Sequence, residues 1–135
     1  DVSNDDFEDA VVNFTNAIKD SVNFPEAYYN RGLSFSKIGN YNKAIEDFTK
    51  VTKLEKNSNA EINIAFNYAK IGQYDMAEEK INTLLQSDST NAAIYKYKAL
   101  IFIEKGDRKM ACDMFFKAQV NGAINIDSDI EKYCK

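Results

Sequence analysis

Few side chains in this sequence could carry out acid–base or metal chemistry. The 135 residues include no His, the residue most often used as a general base and as a metal ligand. Its absence excludes Ser-His-Asp triads and His-based zinc sites. The adjacent acids Asp5-Asp6 and Glu78-Glu79 could supply a general acid and base, but neighbours on a helix do not face each other. We therefore predict a protein that is not an enzyme and that holds no cofactor.

One acidic segment near the end of the chain has partial calcium-loop spacing. Asn125-x-Asp127-x-Asp129 offers oxygen ligands at alternate positions. However, Ile130 stands where such a loop needs Gly, and the final Glu ligand would fall beyond Lys135. Helix capping accounts for these residues better, so no metal site is predicted.

The chain contains an internal repeat with successive shifts of 34, 33 and 34 residues, as its aligned columns show. The columns are Phe7, Tyr41, Tyr74 and Arg108; Ala10, Ala44, Ala77 and Ala111; Phe14, Phe48, Ile81 and Phe115. In each complete unit a small residue also lies seven positions before a Gly. The pairs are Gly32 before Gly39, Ala65 before Gly72, and Ala99 before Gly106. Such a period predicts helix pairs, each with a Gly at the turn between its helices.

The best unit, YYNRGLSFSKIGNYNKAIEDFTKVTKLEKN, resembles the tetratricopeptide-repeat (TPR) family. The resemblance covers nearly the whole chain. It implies an all-α TPR solenoid of antiparallel helix pairs, with one half repeat, three full repeats and a short capping helix. In a single domain, 1–135, the segments are the second helix of a truncated repeat at 5–21, repeats at 25–57, 58–91 and 92–122, and the capping helix at 128–134.

Residues 5–21 match only the second helix of a unit, so Val11, Phe14 and Ile18 are expected to be partly uncovered. We expect that a helix preceded Asp1 in a longer chain, and circular dichroism of such a chain would detect it. Helix starts are predicted from three capping-box patterns, which are Asn23-x-x-Glu26, Ser58-x-x-Glu61 and Ser128-x-x-Glu131.

The TPR resemblance also implies a concave groove, lined by the first helix of each unit, that binds a protein or peptide. The groove residues it implies are Tyr29, Asn30, Leu33, Lys37, Ile62, Asn63, Phe66, Lys70, Lys96, Tyr97 and Leu100. Asn30 and Asn63 are matched amides suited to a peptide backbone, and Lys37 and Lys70 are matched cations suited to an acidic group. An aligned apolar stripe favours binding. The alternative is that Leu33, Phe66 and Leu100 are core residues.

One familiar TPR ligand does not fit these positions. In the TPR family, a clamp for the C-terminal carboxylate of chaperone tails needs Lys and Asn in the first unit, Asn in the second, and Lys and Arg in the third. The corresponding residues are Tyr29, Leu33, Asn63, Ala93 and Tyr97, of which only Asn63 agrees. We therefore do not expect clamp-type recognition of a C-terminal carboxylate.

The two cysteines, Cys112 and Cys134, allow two readings. The pattern Ala-Cys-Asp-x-x-Phe, followed by Gly and Tyr-Cys, resembles the last repeats of some bacterial cell-envelope TPR proteins. That likeness suggests a disulfide that holds the capping helix, and with it an oxidising compartment such as the periplasm or envelope. Two unpaired thiols are the other reading, because sequence does not supply disulfide geometry.

Charge and hydropathy limit the partners. A formal net charge of −4 offers no general attraction for nucleic acid, and no apolar run approaches the roughly 20 residues that span a bilayer. We predict a protein or peptide partner, no nucleic acid and no direct membrane insertion. The alternative is a self-associating structural subunit of a larger envelope assembly, in which residues 5–21 or the groove pairs with a second copy as a homodimer.

Overall fold

The computed structural model describes residues 4–21 and 23–135. Within these ranges there are eight helices and no strands, so the predicted all-α fold is confirmed. The helices are α1 (Asn4–Asp20), α2 (Pro25–Lys37), α3 (Tyr41–Leu54), α4 (Ser58–Lys70), α5 (Tyr74–Ser87), α6 (Ala92–Lys105), α7 (Arg108–Val120) and α8 (Asp127–Tyr133).

The predicted turn glycines Gly39, Gly72 and Gly106 have φ of +86°, +84° and +92°, a conformation that side chains with Cβ adopt rarely. Each follows the first helix of a pair and ends it, as at a helix C-terminus where Gly is preferred. The short turns that result bring the following helix back along the preceding one.

Helix capping differs from the predicted pattern. Asn57 Oδ1 accepts a hydrogen bond from the Ala60 N–H at 3.0 Å, so α4 is capped one residue before Ser58. The N-cap residues of α2 and α8 are Phe24 and Ile126, and neither makes a side-chain cap bond. The capping boxes predicted at Asn23 and Ser128 were therefore wrong. Ile126 is buried in the core of the second unit, so at α8 apolar packing takes precedence over local hydrogen bonding.

The chain forms two compact units, Asp1–Asn67 and Tyr68–Lys135, with the boundary inside α4. In the first unit α1 packs on α2 and α2 packs on α3. The α2–α3 crossing is close: a Cβ added at Gly32 would lie 3.0 Å from the Phe48 ring. Phe48 is fully buried, which contributes roughly 1.5–3 kcal/mol. The small residue at position 32 therefore permits the burial of the large one.

In the second unit α6 packs on α5 and α7, and α7 also packs on α8. A cluster of buried residues from α6, α7 and the N-cap position of α8 packs together: Ala99, Phe102, Ala111, Met114, Phe115, Ala118 and Ile126. Ile130, Tyr133 and Cys134 of the C-terminal segment pack against this cluster. The helix α8, Asp127–Tyr133, thus overlaps the capping segment predicted at 128–134 and covers apolar surface of α7, as the end of a repeat array requires.

None of the helices described here combines the length and the apolar content that crossing a lipid bilayer demands.

Candidate functional site

Two hydrogen bonds place α2 beside α4 in the first unit. Ser36 Oγ donates to Asn67 Oδ1 at 2.6 Å, and Asn63 Nδ2 donates to Tyr29 Oη at 3.4 Å. Asn67 is only 1% exposed and its Nδ2 donates to the Asn63 carbonyl, so the inner contact is fixed. The outer surface at this junction, hereafter the α2–α4 face, consists of Tyr29, Leu33, Asn63 and Phe66. All four are half-buried.

The side chain of Asn63 has a defined orientation on this face. Its Nδ2 donates to the Asn59 carbonyl at 2.9 Å as well as to Tyr29 Oη. Tyr29 is itself held by an edge contact with the Phe48 ring, centroid to centroid 5.5 Å. Asn63 Oδ1 has no hydrogen bond from the described residues. It is an acceptor held in place, which suits a peptide N–H.

Two of the predicted groove residues lie elsewhere. Ile62 is 2% exposed and offers no accessible surface, because buried residues lie around most of the α4 circumference. Asn30 lines a cleft between α1 and α2 and does not join the α2–α4 face. The apolar pattern of a single helix could not predict the burial of Ile62 or the location of Asn30, because both depend on which other helices pack around that helix.

The predicted cations have different surroundings. Lys37 is exposed at the end of α2. Lys70 Nζ forms an ion pair with Glu104 Oε1 at 2.5 Å, and the Glu104 carbonyl accepts a hydrogen bond from Tyr74 Oη at 3.1 Å. Lys70 is therefore already neutralised by a carboxylate of its own chain and is not the matched partner of Lys37 that we predicted.

In the second unit Lys96, Tyr97 and Leu100 are half-buried on α6. Leu100 packs against the core cluster, so it fits the core alternative at least in part. Burial raises the pKa of Tyr97, which stays protonated and can donate a hydrogen bond at neutral pH. Burial, and after it the charge of Lys117, lowers the pKa of the neighbouring Lys98.

The C-terminal helix is joined covalently to α7. The structure bonds Cys112 to Cys134 in a disulfide, with the two Cα atoms 5.6 Å apart. The rings of Phe115 and Tyr133 stack beside the bridge at a centroid distance of 5.9 Å. The disulfide and the stacked rings therefore both hold the C-terminal segment against α7.

With this geometry in hand, the chain can be compared with known proteins. The sequence model described as tetratricopeptide repeat matches residues 25–58. MamA from Desulfovibrio magneticus RS-1 aligns with 95% of this chain and 70% of its own at 23% identity and a TM-score of 0.70. The chain has the tetratricopeptide-repeat fold and carries this repeat.

Two further solved TPR-type structures agree. A tetratricopeptide repeat protein from Parabacteroides merdae aligns with 96% of this chain and with 65% of its own length, at 19% identity and a TM-score of 0.58. A chain of the APC/C hetero-tetramer Cut9–Hcn1 aligns with 87% of this chain and with 22% of its own length, at 16% identity and a TM-score of 0.74. No curated protein matches the sequence significantly. At these identities the likeness establishes the fold alone, because one fold can serve many functions.

Sequence reasoning missed one polar centre of this TPR chain. Arg31 Nε donates to Asp47 Oδ2 at 2.8 Å and its Nη2 to Oδ1 at 2.7 Å, a bidentate pair between α2 and α3. Arg31 Nη1 also donates to Thr15 Oγ1 of α1 at 3.3 Å. The hydrogen bond with Asp47 raises the pKa of Arg31 further. The sequence carried a signal for this ion pair. The repeat equivalents of Arg31 are Ile64 and Lys98, so Arg31 could not serve a structural role that all units share.

The acidic segment near the C-terminus was also checked for a metal centre. Over residues 4–21 and 23–135, no group of three or more His, Cys, Asp or Glu side chains is arranged to hold a metal ion. Asp127 and Asp129 lie in the first turn of α8, where carboxylates interact favourably with the helix dipole.

Proposed function

We propose that this TPR chain is an interaction module or scaffold that binds a peptide segment of another protein on the α2–α4 face. The observation that carries the proposal is the oriented Asn63 amide beside Tyr29, with half-buried Leu33 one turn after Tyr29 on α2 and half-buried Phe66 one turn after Asn63 on α4. An apolar side chain of the ligand would pack on Leu33 and Phe66, while a backbone N–H would donate to Asn63 Oδ1. This combination of apolar anchor and backbone hydrogen bond is a common form of peptide recognition.

A nearby cation refines the ligand chemistry. Lys37 follows Leu33 by one helical turn and is exposed, and the described residues form no ion pair with it. An acidic residue of the ligand next to its apolar anchor would therefore be favoured, by roughly 0.2–1 kcal/mol for an exposed pair. The same composition does not suit nucleic acid, whose binding needs many phosphate contacts.

The second unit offers its own contact surface. Lys96 is half-buried on α6, and its ammonium group can donate to carbonyl or carboxylate oxygens. We propose Lys96 as a secondary contact for a protein partner. The proposal does not depend on the α2–α4 face.

The disulfide supports an oxidising location. Structural disulfides are rare in reducing cytosol and common in secreted and periplasmic proteins. The Cys112–Cys134 bridge therefore favours a periplasmic or cell-envelope scaffold.

Peptide selection tests the main proposal. Peptides selected on the wild-type chain from a random display library are titrated against Phe66→Asp and against Met76→Asp. Met76 is 47% exposed on α5, outside the α2–α4 face, and receives the same charge. We expect Phe66→Asp to weaken binding by about tenfold or more, since central contacts often contribute over 1.4 kcal/mol, and Met76→Asp to have little effect.

Circular dichroism of both variants controls for folding. If Phe66→Asp keeps its helicity but binds the selected peptides as tightly as wild type, the α2–α4 face is not the binding site. If it unfolds, Leu33→Ser provides the second test, because it removes apolar contact without placing a charge at the junction.

Self-association through residues 5–21 is the alternative function. Its support is that α1 has no buried residue, unlike α2, α3, α5, α6 and α7. Sedimentation velocity over a wide concentration range tests it. A monomer at every concentration eliminates this alternative and leaves peptide binding unaffected.

A further inference from the structure

The α2–α3 crossing of the first unit contains a cluster of two cations and one carboxylate. The guanidinium carbon of Arg31 lies 5.6 Å from the centroid of the Tyr28 ring, and Lys50 Nζ lies 6.0 Å from the same centroid. Two positive charges beside one ring repel each other. The buried Asp47 carboxylate pairs with Arg31 at this crossing. The first unit therefore supplies the anion for its own pair of cations.

The last repeat keeps the two cations of this cluster and lacks the carboxylate. In α6 and α7 the equivalents of the two cations are Lys98 and Lys117, and the ring between them is kept as Tyr95. The equivalent of the carboxylate is Met114, which is buried in the core cluster of the second unit. An apolar thioether offsets no positive charge, so this second cluster has no anion at the equivalent position.

The pairing of helices does not itself require these cations. In the middle repeat the two positions carry Ile64 and Thr83, which are uncharged. Ile64 is buried in the first unit without any ion pair. The presence of both Lys98 and Lys117 in the last repeat therefore calls for an explanation other than packing.

The charges that act on Lys98 come from the helices on both sides of α6. Burial, and after it the charge of Lys117 on α7, lowers the pKa of Lys98, while Glu78 on α5 acts in the opposite direction. Glu78 Oε2 already accepts a hydrogen bond from Lys105 Nζ at 3.0 Å. Across residues 4–21 and 23–135, neither Lys98 nor Lys117 forms an ion pair or a side-chain hydrogen bond. The two ammonium groups are thus close enough to interact and have no carboxylate of their own.

This pair of lysines can be reached by a ligand. Lys117 is exposed and Lys98 is half-buried, so an anion from solvent would meet one accessible and one partly desolvated ammonium group. A partly desolvated ion pair is screened less by salt than an exposed one. Lys96 lies two residues before Lys98 and hence on another side of α6, so this site is separate from the contact proposed for Lys96.

We propose that Lys98 and Lys117 bind the carboxylate of an acidic side chain from a protein partner. The first unit indicates the ligand chemistry, because there the equivalent cations are accompanied by the Asp47 carboxylate. Each ammonium group can donate to one carboxylate oxygen. The bound carboxylate would relieve the repulsion between the two lysines, as Asp47 offsets the charge of Arg31 and Lys50.

The probe is N-acetyl-aspartate amide, whose only charge is its side-chain carboxylate, and N-acetyl-asparagine amide is its neutral control. Binding to the full chain is followed at constant ionic strength by NMR signals of isotope-labelled lysine side chains. We expect saturable shifts of Lys98 and Lys117 with the aspartate probe and none with the control. Lys37, which is exposed and has no ion pair within the described residues, should bind the probe about fivefold more weakly, since a single exposed pair contributes little.

Two variants on α7 test the pairing of the cations. Lys117→Gln removes the second ammonium group, so the affinity of the probe at Lys98 is expected to fall by about fivefold. Lys109→Gln makes the same change of net charge at an exposed position of the same helix that is not part of the cluster. Little change is expected in this control, because only the local charge at Lys98 matters.

A third variant supplies the carboxylate from within the chain. Met114→Asp introduces at α7 the residue that Asp47 provides at α3, so the aspartate probe should no longer shift the Lys98 signal. Met114→Leu keeps the position apolar and should leave probe binding unchanged. Circular dichroism checks that both variants are folded. If Met114→Asp unfolds, the comparison of Lys117→Gln with Lys109→Gln decides the question.

Four results would overturn the proposal. They are the absence of shifts at Lys98 and Lys117, an affinity no higher than that of Lys37, equal effects of Lys117→Gln and Lys109→Gln, and undiminished probe binding by folded Met114→Asp. A parallel titration with inorganic phosphate tests the choice of ligand. Binding of phosphate without binding of the aspartate probe would contradict a carboxylate ligand. None of these results bears on Phe66→Asp, so the α2–α4 face is judged separately.

Discussion

The α2–α3 pair and the α7–α8 segment use the same kind of helix-on-helix packing but are secured by different interactions. In the first unit Arg31 and Asp47 form a bidentate ion pair whose side chains are 19% and 6% exposed. In the second unit α8 is joined to α7 by the Cys112–Cys134 disulfide and by stacking of Phe115 on Tyr133. One contact is noncovalent and charged, and the other is covalent and apolar.

The difference shows which part of folding each contact affects. A buried ion pair gives little net stability relative to apolar residues, but loss of one partner strands the other charge. A disulfide acts mainly by restricting the unfolded chain, although the size of this effect depends on the model used. The first contact is therefore sensitive to single substitutions, and the second to the redox environment.

Removing Arg31 is the sharpest test of the charged contact. Arg31→Met leaves the Asp47 carboxylate, which is nearly inaccessible to water, without its partner. We expect the free energy of unfolding to fall by about 3–5 kcal/mol. Urea unfolding followed by circular dichroism measures the change.

The matched control replaces both partners. Arg31→Met with Asp47→Leu removes the stranded charge, and the position already tolerates an apolar residue in the repeat equivalent Ile64. Most of the lost stability should return. A double variant no more stable than Arg31→Met would show that shape at this crossing matters more than charge.

Breaking the disulfide is expected to have the next largest effect. Cys112 and Cys134 are 22 residues apart, and closing a loop of that size stabilises a protein by about 3 kcal/mol. Thermal unfolding with and without reductant should show this loss in wild type and none in Cys112→Ser/Cys134→Ser. Thiol titration of the unfolded, unreduced protein should find no free thiol, and two free thiols would contradict the bridge.

The smallest effect expected lies at the Gly32 crossing. Gly32→Val adds atoms where even a Cβ would approach the Phe48 ring to 3.0 Å, so destabilisation of about 1–3 kcal/mol is expected. Asn42→Val, at an exposed position of α3, controls for helix propensity and should change stability by less than about 0.5 kcal/mol. Thermal unfolding of both variants makes the comparison, and equal stabilities would show that the ring moves aside.

Sequence reasoning succeeded where a property repeats along the chain. The positions of Ala44, Phe48 and Gly39 follow from the period, because each unit solves the same packing and turn problem. It was less successful for single side chains on the candidate site. Lys70 is paired with Glu104 and Ile62 is buried, and both outcomes depend on residues that are distant in the sequence.

The sequence alone determined the helices, their pairing and the turns, since period, small residues and Gly are local properties that each unit repeats. Tertiary structure alone decided which surfaces stay accessible. Asn30 and Asn63 occupy equivalent positions, yet Asn30 lines the α1–α2 cleft while Asn63 donates to Tyr29 of α2. Accessibility depends on the neighbours of a residue in space, which a repeat pattern does not specify.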